Sequence, residues 1–202
     1  MNTVYFYKSQ RSSVLPIEAI MEFKSQIQSL KAYKAHRQQL ADQVLNNQAI
    51  FPILMDYSLS NDARLGKPAC WVLEYVCIAK LSWIHPYLKH FIDQLPFIEN
   101  KSSKRCCAKI CMLLCQRYFL DSDKSTIEAL DKTDLASLVE INFDWLINDE
   151  KVATKAYAME ALHLLGKVFI WVHPELKAIL QKGIPNHTMA YKARAMHILN
   201  KI

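Results

Sequence analysis

The chain has 202 residues, 51% of them hydrophobic and 22% charged, with 25 Lys and Arg against 19 Asp and Glu for a net charge of +6. These values disfavour a disordered or membrane chain and allow one substantial domain or two small ones, of which a single unit is expected, while the modest positive charge favours anionic partners without reaching the basicity of a dedicated nucleic-acid binder. Only three glycines occur, which disfavours turn-rich β architectures, leaves little room for a Gly-rich phosphate loop and makes an all-α fold the expectation.

Residues 1–16 contain Tyr5, Phe6 and Tyr7 without a helical period, and are expected to form an extended arm docked on the rest. They lack the apolar core and small-residue cleavage site of a signal peptide, and no apolar run reaches the roughly 20 residues of a membrane span, so a cytoplasmic protein with no membrane partner is expected. Ile20, Phe23, Ile27 and Leu30 recur at spacings of three and four, predicting a helix over about 17–30 that forms a capping pair with a second over 33–47. The next helical hairpin is predicted over 51–80, where Leu65, Ala69, Val72, Val76 and Ala79 make the stripe, and another over 85–119. Asp121–Asp134 (DSDKSTIEALDKTD) interrupts the pattern and reads as a long loop with one short helical turn. Hairpins over 133–169, with Ala158, Leu162, Leu165 and Phe169 as a stripe, and over 174–202 complete the chain.

Proline and amide residues set the boundaries. Pro52, Pro86 and Pro174 each precede an apolar-periodic segment, and a missing N–H costs little at the start of a helix. Asn61-Asp62, Glu99-Asn100, Asn148-Asp149 and Pro185-Asn186 suit the turns between paired helices.

An internal duplication underlies this order. At an offset of 88, Trp83-Ile84-His85-Pro86-Tyr87-Leu88-Lys89 meets Trp171-Val172-His173-Pro174-Glu175-Leu176-Lys177, with five identities in seven. The same offset places Lys67 on Lys155, Lys104 on Lys192 and Ile110 on Ile198. Lys67 to Lys104 and Lys155 to Lys192 are both 37 residues apart, so each unit is about one helical hairpin, and the 51 residues from Lys104 to Lys155 hold an insertion of 51 − 37 = 14.

These residues resemble the HEAT repeat family: a proline-led first helix with Leu two positions on (Pro86 and Leu88, Pro174 and Leu176), an acidic or amide turn, then a second helix. Asn148-Asp149 followed by Val152, Lys155, Ala158, Ala161-Leu162 and Leu165 matches best, and the likeness covers about residues 50–202. It implies a single domain over 1–202, a right-handed α-α superhelix (a HEAT or armadillo-like solenoid) of about five helical hairpins, with residues 1–50 as arm and cap and 51–202 as four repeats. It further implies a concave face of second helices that binds proteins and, in some members, nucleic acid, and it carries no chemistry by itself. Cys106, Cys107, Cys111 and Cys115, where Ala or Leu would be usual, and Gly66 with Pro68 at the start of a second helix, depart from the pattern.

Lys67, Lys104 with Arg105, Lys155, and Lys192 with Arg194 recur near the start of each second helix, and stacking should set them in a row. As a site this row would be an anion-binding groove, with Trp71, Tyr157 and Tyr191 as candidate stacking residues. As a structural ladder it would bridge to turn carboxylates of adjacent repeats, for which Asp62 and Asp149 are available, and this second role is favoured. HEAT-like alkylpurine DNA glycosylases rely on an acidic residue and tryptophans in a basic cleft, and Asp144 beside Trp145 fits that description superficially. Asp144 falls on a first helix, however, which should face away from the cleft.

Cys107, Cys111 and Cys115 share one helical face at spacings of four, a geometry open to a soft metal, yet no CxxC or His-rich partner accompanies them. A stripe of buried, reduced thiols including Cys70, Cys77 and Cys106 is the expectation, with no metal and no cofactor. His85 and His173 recur before equivalent prolines, which assigns them to packing beside Trp83 and Trp171 rather than to catalysis. Neither HExxH nor GxSxG occurs. The expected function is therefore a non-enzymatic scaffold binding a protein or peptide, with a nucleic-acid-binding, glycosylase-like solenoid as the alternative.

Overall fold

The computed structural model describes residues 15–202, and among them the regular structure is helical throughout. The expected arm at 1–16 lies almost wholly outside the described residues. Eleven α-helices follow in order: α1 (Ile17–Ser29), α2 (Lys34–Asn46), α3 (Phe51–Ser58), α4 (Gly66–Ala79), α5 (Leu88–Gln94), α6 (Lys101–Phe119), α7 (Lys124–Ala129), α8 (Lys132–Ile147), α9 (Val152–Leu165), α10 (Val172–Gly183) and α11 (Met189–Leu199). The all-α expectation holds, and the pairs α3–α4, α5–α6, α8–α9 and α10–α11 fall at the predicted hairpins.

The second helices form the spine. α2 packs on α4, α4 on α6, α6 on α9 and α9 on α11, so each touches the next along the chain of repeats. α3 lies on α4, α8 on α9, α10 against both α9 and α11, and α5 leans on α8. The cap differs from a simple pair in that α1 and α2 both seat on α4. The core follows the apolar stripes: Phe23 and Ile27, then Ala69, Val72 and Val76, then Ala158, Leu162 and Leu165 are buried, while Ala79 at the end of α4 is exposed and Phe169 falls in the turn after α9, half-buried. Removing such side chains from water is the dominant favourable term in holding the stack.

Local chemistry accounts for the helix ends. Asn100 accepts from the backbone N–H groups of Ser102 and Ser103 to cap α6, and Asp123 accepts from Thr126 N to start α7. Asp131 and Asp134 form a capping box on α8, and Thr188 caps α11. Pro52 sits in the first turn of α3 and Pro174 in the first turn of α10, where the ring removes only N–H groups that lack an intrahelical partner. Gly66 permits a close approach, because a Cβ there would lie 2.0 Å from the carbonyl oxygen of Ser60.

The duplication is visible in three dimensions. α4, α5 and α6 are echoed by α9, α10 and α11, with a proline-bearing 3-10 turn before each last helix, at Leu95–Phe97 and Ile184–Asn186. Each copy's tryptophan covers an aromatic ring on the first helix of the preceding hairpin: Trp83 meets Phe51 edge-on at 5.8 Å, and Trp171 stacks on Phe143 at 5.7 Å. The copies diverge at the histidines. Leu81–Tyr87 is a 3-10 segment held by α7, where Thr126 Oγ1 lies 3.2 Å from His85 Nε2, so the 14-residue insertion braces the first copy. In the second copy His173 belongs to α10 itself, its Nε2 lies 2.8 Å from the His163 carbonyl, and its ring fills the space a side chain at Gly166 would need.

Candidate functional site

The six residues of the basic row all lie within the first two turns of their second helices. What each meets divides them. Lys104 Nζ is 2.6 Å from Glu150 Oε1, a carboxylate in the turn before α9 whose side chain is only 4% exposed. Arg105 donates twice to Glu74 on α4, from Nη1 at 3.1 Å and Nη2 at 2.5 Å, and Lys109 approaches the same carboxylate at 3.3 Å. Arg194 Nη1 is 3.2 Å from Glu160 Oε2 on α9, with Lys201 at 3.6 Å on its other oxygen. Each of these contacts joins a second helix, or the turn that follows α11, to a neighbouring hairpin, so five cations, three of them from the row, knit the stack together.

Lys155 plays a different part. It is 5% exposed and its Nζ donates to the Leu146 carbonyl at 2.9 Å, satisfying one of the free carbonyls at the C-terminal end of α8. Burial lowers its pKa, an effect the nearby Asp149 and Glu150 oppose. Asp149 instead takes Lys101 at 2.6 Å, and Asp62 turns inward on its own loop, accepting from Arg64 N and Leu65 N. The carboxylates that meet the row are thus Glu74, Glu150 and Glu160; Asp149 also joins its turn to α6, but through Lys101 outside the row, and Asp62 makes no such bridge among the described residues. Among the described residues Lys192 forms no ion pair, and neither does Lys67.

Glu74 is the most instructive of the three. It is 5% exposed within an otherwise apolar stretch of α4. Burial alone would raise its pKa, but hydrogen bonds from Arg105 and Cys106, with the charges of Arg105 and Lys109, outweigh burial and hold the carboxyl below its ordinary value. A buried carboxylate with two cations is a satisfied group, suited to fixing helix register rather than to proton transfer.

At the other end of the row the cations meet rings. The Arg37 guanidinium, from α2, lies 5.7 Å from the centroids of both Trp71 and Tyr75 on α4, and Lys67 Nζ lies 5.5 Å from that of Trp71. Trp71 and Tyr75 are half-buried. Sequence reasoning placed Lys67 and Trp71 near each other but missed Arg37, which belongs to the cap and lies outside the duplication. The i, i+4, i+8 spacing of Lys67, Trp71 and Tyr75, which puts them on one face of α4, was a signal for the ring surface but not for Arg37.

The remaining candidates are core or surface. All six cysteines are buried, Cys70 donates to the Ser58 carbonyl at 3.1 Å, and burial pushes the Cys115 thiol up to about 12. Such thiols are poor nucleophiles. Asp144 is exposed on α8 while Trp145 is buried in the core, so the adjacent pair does not form one site. Tyr191 is buried and stacks on His187 at 4.0 Å, and Tyr157 is half-buried near Arg105. Among the described residues no helix is long and apolar enough to cross a membrane, and no group of three or more His, Cys, Asp or Glu could hold a metal ion.

Comparison with protein-family models, with curated proteins and with solved structures finds no match for this chain.

Proposed function

We propose that this chain is a HEAT-like solenoid, a right-handed superhelix of about five helical hairpins, that works in the cytoplasm as a non-enzymatic scaffold and seats a protein or peptide partner on the concave face of its second helices. The observation that carries the reading is the unbroken contact of α2, α4, α6, α9 and α11, which sets five helices side by side in one continuous row. Solenoids of this kind offer area rather than chemistry, and six buried, unpaired thiols suit a reducing compartment. The alternative, a nucleic-acid-binding solenoid of glycosylase-like type, draws less support: Lys104, Arg105 and Arg194 are engaged with shielded carboxylates, and Asp144 and Trp145 diverge.

The test is recovery of the tagged full chain from its native cells, with and without nuclease, followed by cross-linking mass spectrometry of what it retains at physiological salt. The scaffold reading expects a nuclease-resistant protein cross-linked to residues of α2, α4, α6, α9 or α11. Retention of nucleic acid alone, washing away as salt rises, would overturn it, and so would cross-links confined to α3, α5, α8 and α10.

A further inference from the structure

We propose that the α2–α4 end of the second-helix row, where Arg37 and Lys67 flank Trp71 and Tyr75, is a receptor for an acidic segment of the protein partner. The proposal rests on the scaffold reading and names the partner's chemistry at one point of its surface.

Along the row from α6 to α11, Lys104, Arg105 and Arg194 meet carboxylates and Lys155 donates to the Leu146 carbonyl, while Lys192 forms no ion pair among the described residues. Arg37 and Lys67 have none among the described residues, and Arg37 Nε is shielded from solvent without an acceptor. Residues 1–14, MNTVYFYKSQRSSV, contain no Asp or Glu, so that segment holds no side-chain carboxylate to supply one. A ring quadrupole attracts a cation but leaves its charge uncompensated, so Arg37 and Lys67 present two positive charges fixed by the same indole. An anion arriving there finds a guanidinium whose conformational cost is already largely met by packing.

The geometry favours carboxylates of a peptide over a nucleic-acid strand. Base stacking needs an open aromatic face, and Trp71 already has two cations over its ring. A phosphodiester chain also needs a track of free cations, whereas the next helix offers Arg105 and Lys109 tied to Glu74. On the side of the turns, Asp62 and Glu99 line the recess beside Lys67 and limit the receptor to the rings. A short acidic segment fits those bounds, and Tyr75 and Trp71 add apolar contact for its flanking side chains.

The experiment is fluorescence anisotropy of the full chain with three labelled probes, deca-glutamate, deca-glutamine and deca-thymidylate, at low salt. Wild type binds deca-glutamate in preference to the other two. The double variant Arg37→Gln/Lys67→Gln weakens that binding by about tenfold or more, the equivalent of about 1.4 kcal/mol, while Lys124→Gln/Lys132→Gln, which removes two exposed charges elsewhere, changes it less than about twofold. Circular dichroism checks that each variant keeps its helices, and Lys67→Glu, an exposed single change, serves if the double variant does not fold and is expected to weaken binding in the same direction. The proposal fails if deca-glutamate does not bind, if the Arg37 and Lys67 variants bind it as wild type does, or if deca-thymidylate binds better. Those failures leave the scaffold reading standing, because that reading falls on the capture experiment, when the tagged chain retains nucleic acid alone or a captured partner cross-links away from the second helices.

Discussion

Between α4 and α11, Lys104, Arg105, Lys109 and Arg194 meet carboxylates shielded from solvent, at Glu150, Glu74 and Glu160, whereas between α2 and α4 Arg37 and Lys67 meet the rings of Trp71 and Tyr75. Both arrangements hold cations at a helix–helix seam. Only the first neutralises them. A carboxylate buried with its cations fixes which helix face meets which, and removing one member leaves an uncompensated charge. A cation resting on an indole is weakly held, about 0.5–1 kcal/mol where exposed, and keeps its field for a ligand. Basic residues therefore serve stacking at Lys104, Arg105 and Arg194 and are left available at the α2–α4 end.

Breaking the neutralised seam should have the largest effect. Glu74→Ala leaves Arg105 and Lys109 without their carboxylate, and equilibrium urea unfolding should show a loss of about 3–5 kcal/mol. The same carboxylate predicts a pH dependence. Its folded pKa lies below the unfolded value, so its contribution is complete above the unfolded carboxylate range near pH 4.3 and is lost as pH falls through the folded value. The low-pH loss of stability should shrink in Glu74→Gln, and an unchanged acid transition would remove Glu74 from that role.

Two changes probe packing within a hairpin. Lys155→Ala takes the donor from the buried Leu146 carbonyl and should cost about 1–3 kcal/mol, with hydrogen exchange accelerated at the end of α8. A Cβ at Gly166 would fall 2.0 Å from His173 Cδ2. Gly166→Ala should therefore cost about 1–3 kcal/mol as an overpacking change, and His173→Ala in the same chain should recover part of the loss. Additive losses in the double variant would show that the ring is not what the methyl meets. The smallest effect is expected at Lys101 and Asp149, which pair at 2.6 Å but are both exposed, and Lys101→Ala should leave the melting temperature unchanged within error.

Much of the fold was legible because its signals are local. Apolar spacing located the hairpins within a few residues, and the Trp-x-His-Pro repeat marked the duplication. The short turn of helix expected inside 121–134 is α7, whose cap Asp123 is a standard N-terminal residue. The partners of the basic row were harder to see, because Glu74 and Glu160 sit inside apolar stretches and their cations come from helices 31 and 34 residues away. An acid in an apolar stripe is a usable signal, since it demands a cation from the next element. Arg37 could not be read the same way: α2 is polar around most of its circumference and has no counterpart in the duplication, so only the contact with α4 reveals it.

The division of the row into neutralised and available cations is tested most directly by urea unfolding of four single variants, Arg105→Gln, Arg194→Gln, Arg37→Gln and Lys67→Gln, measured side by side. The first two should lose about 2 kcal/mol or more, as broken shielded pairs do, and the last two about 1 kcal/mol or less. Equal losses at Arg37 and Arg105 would contradict the division and return the whole row to a structural role.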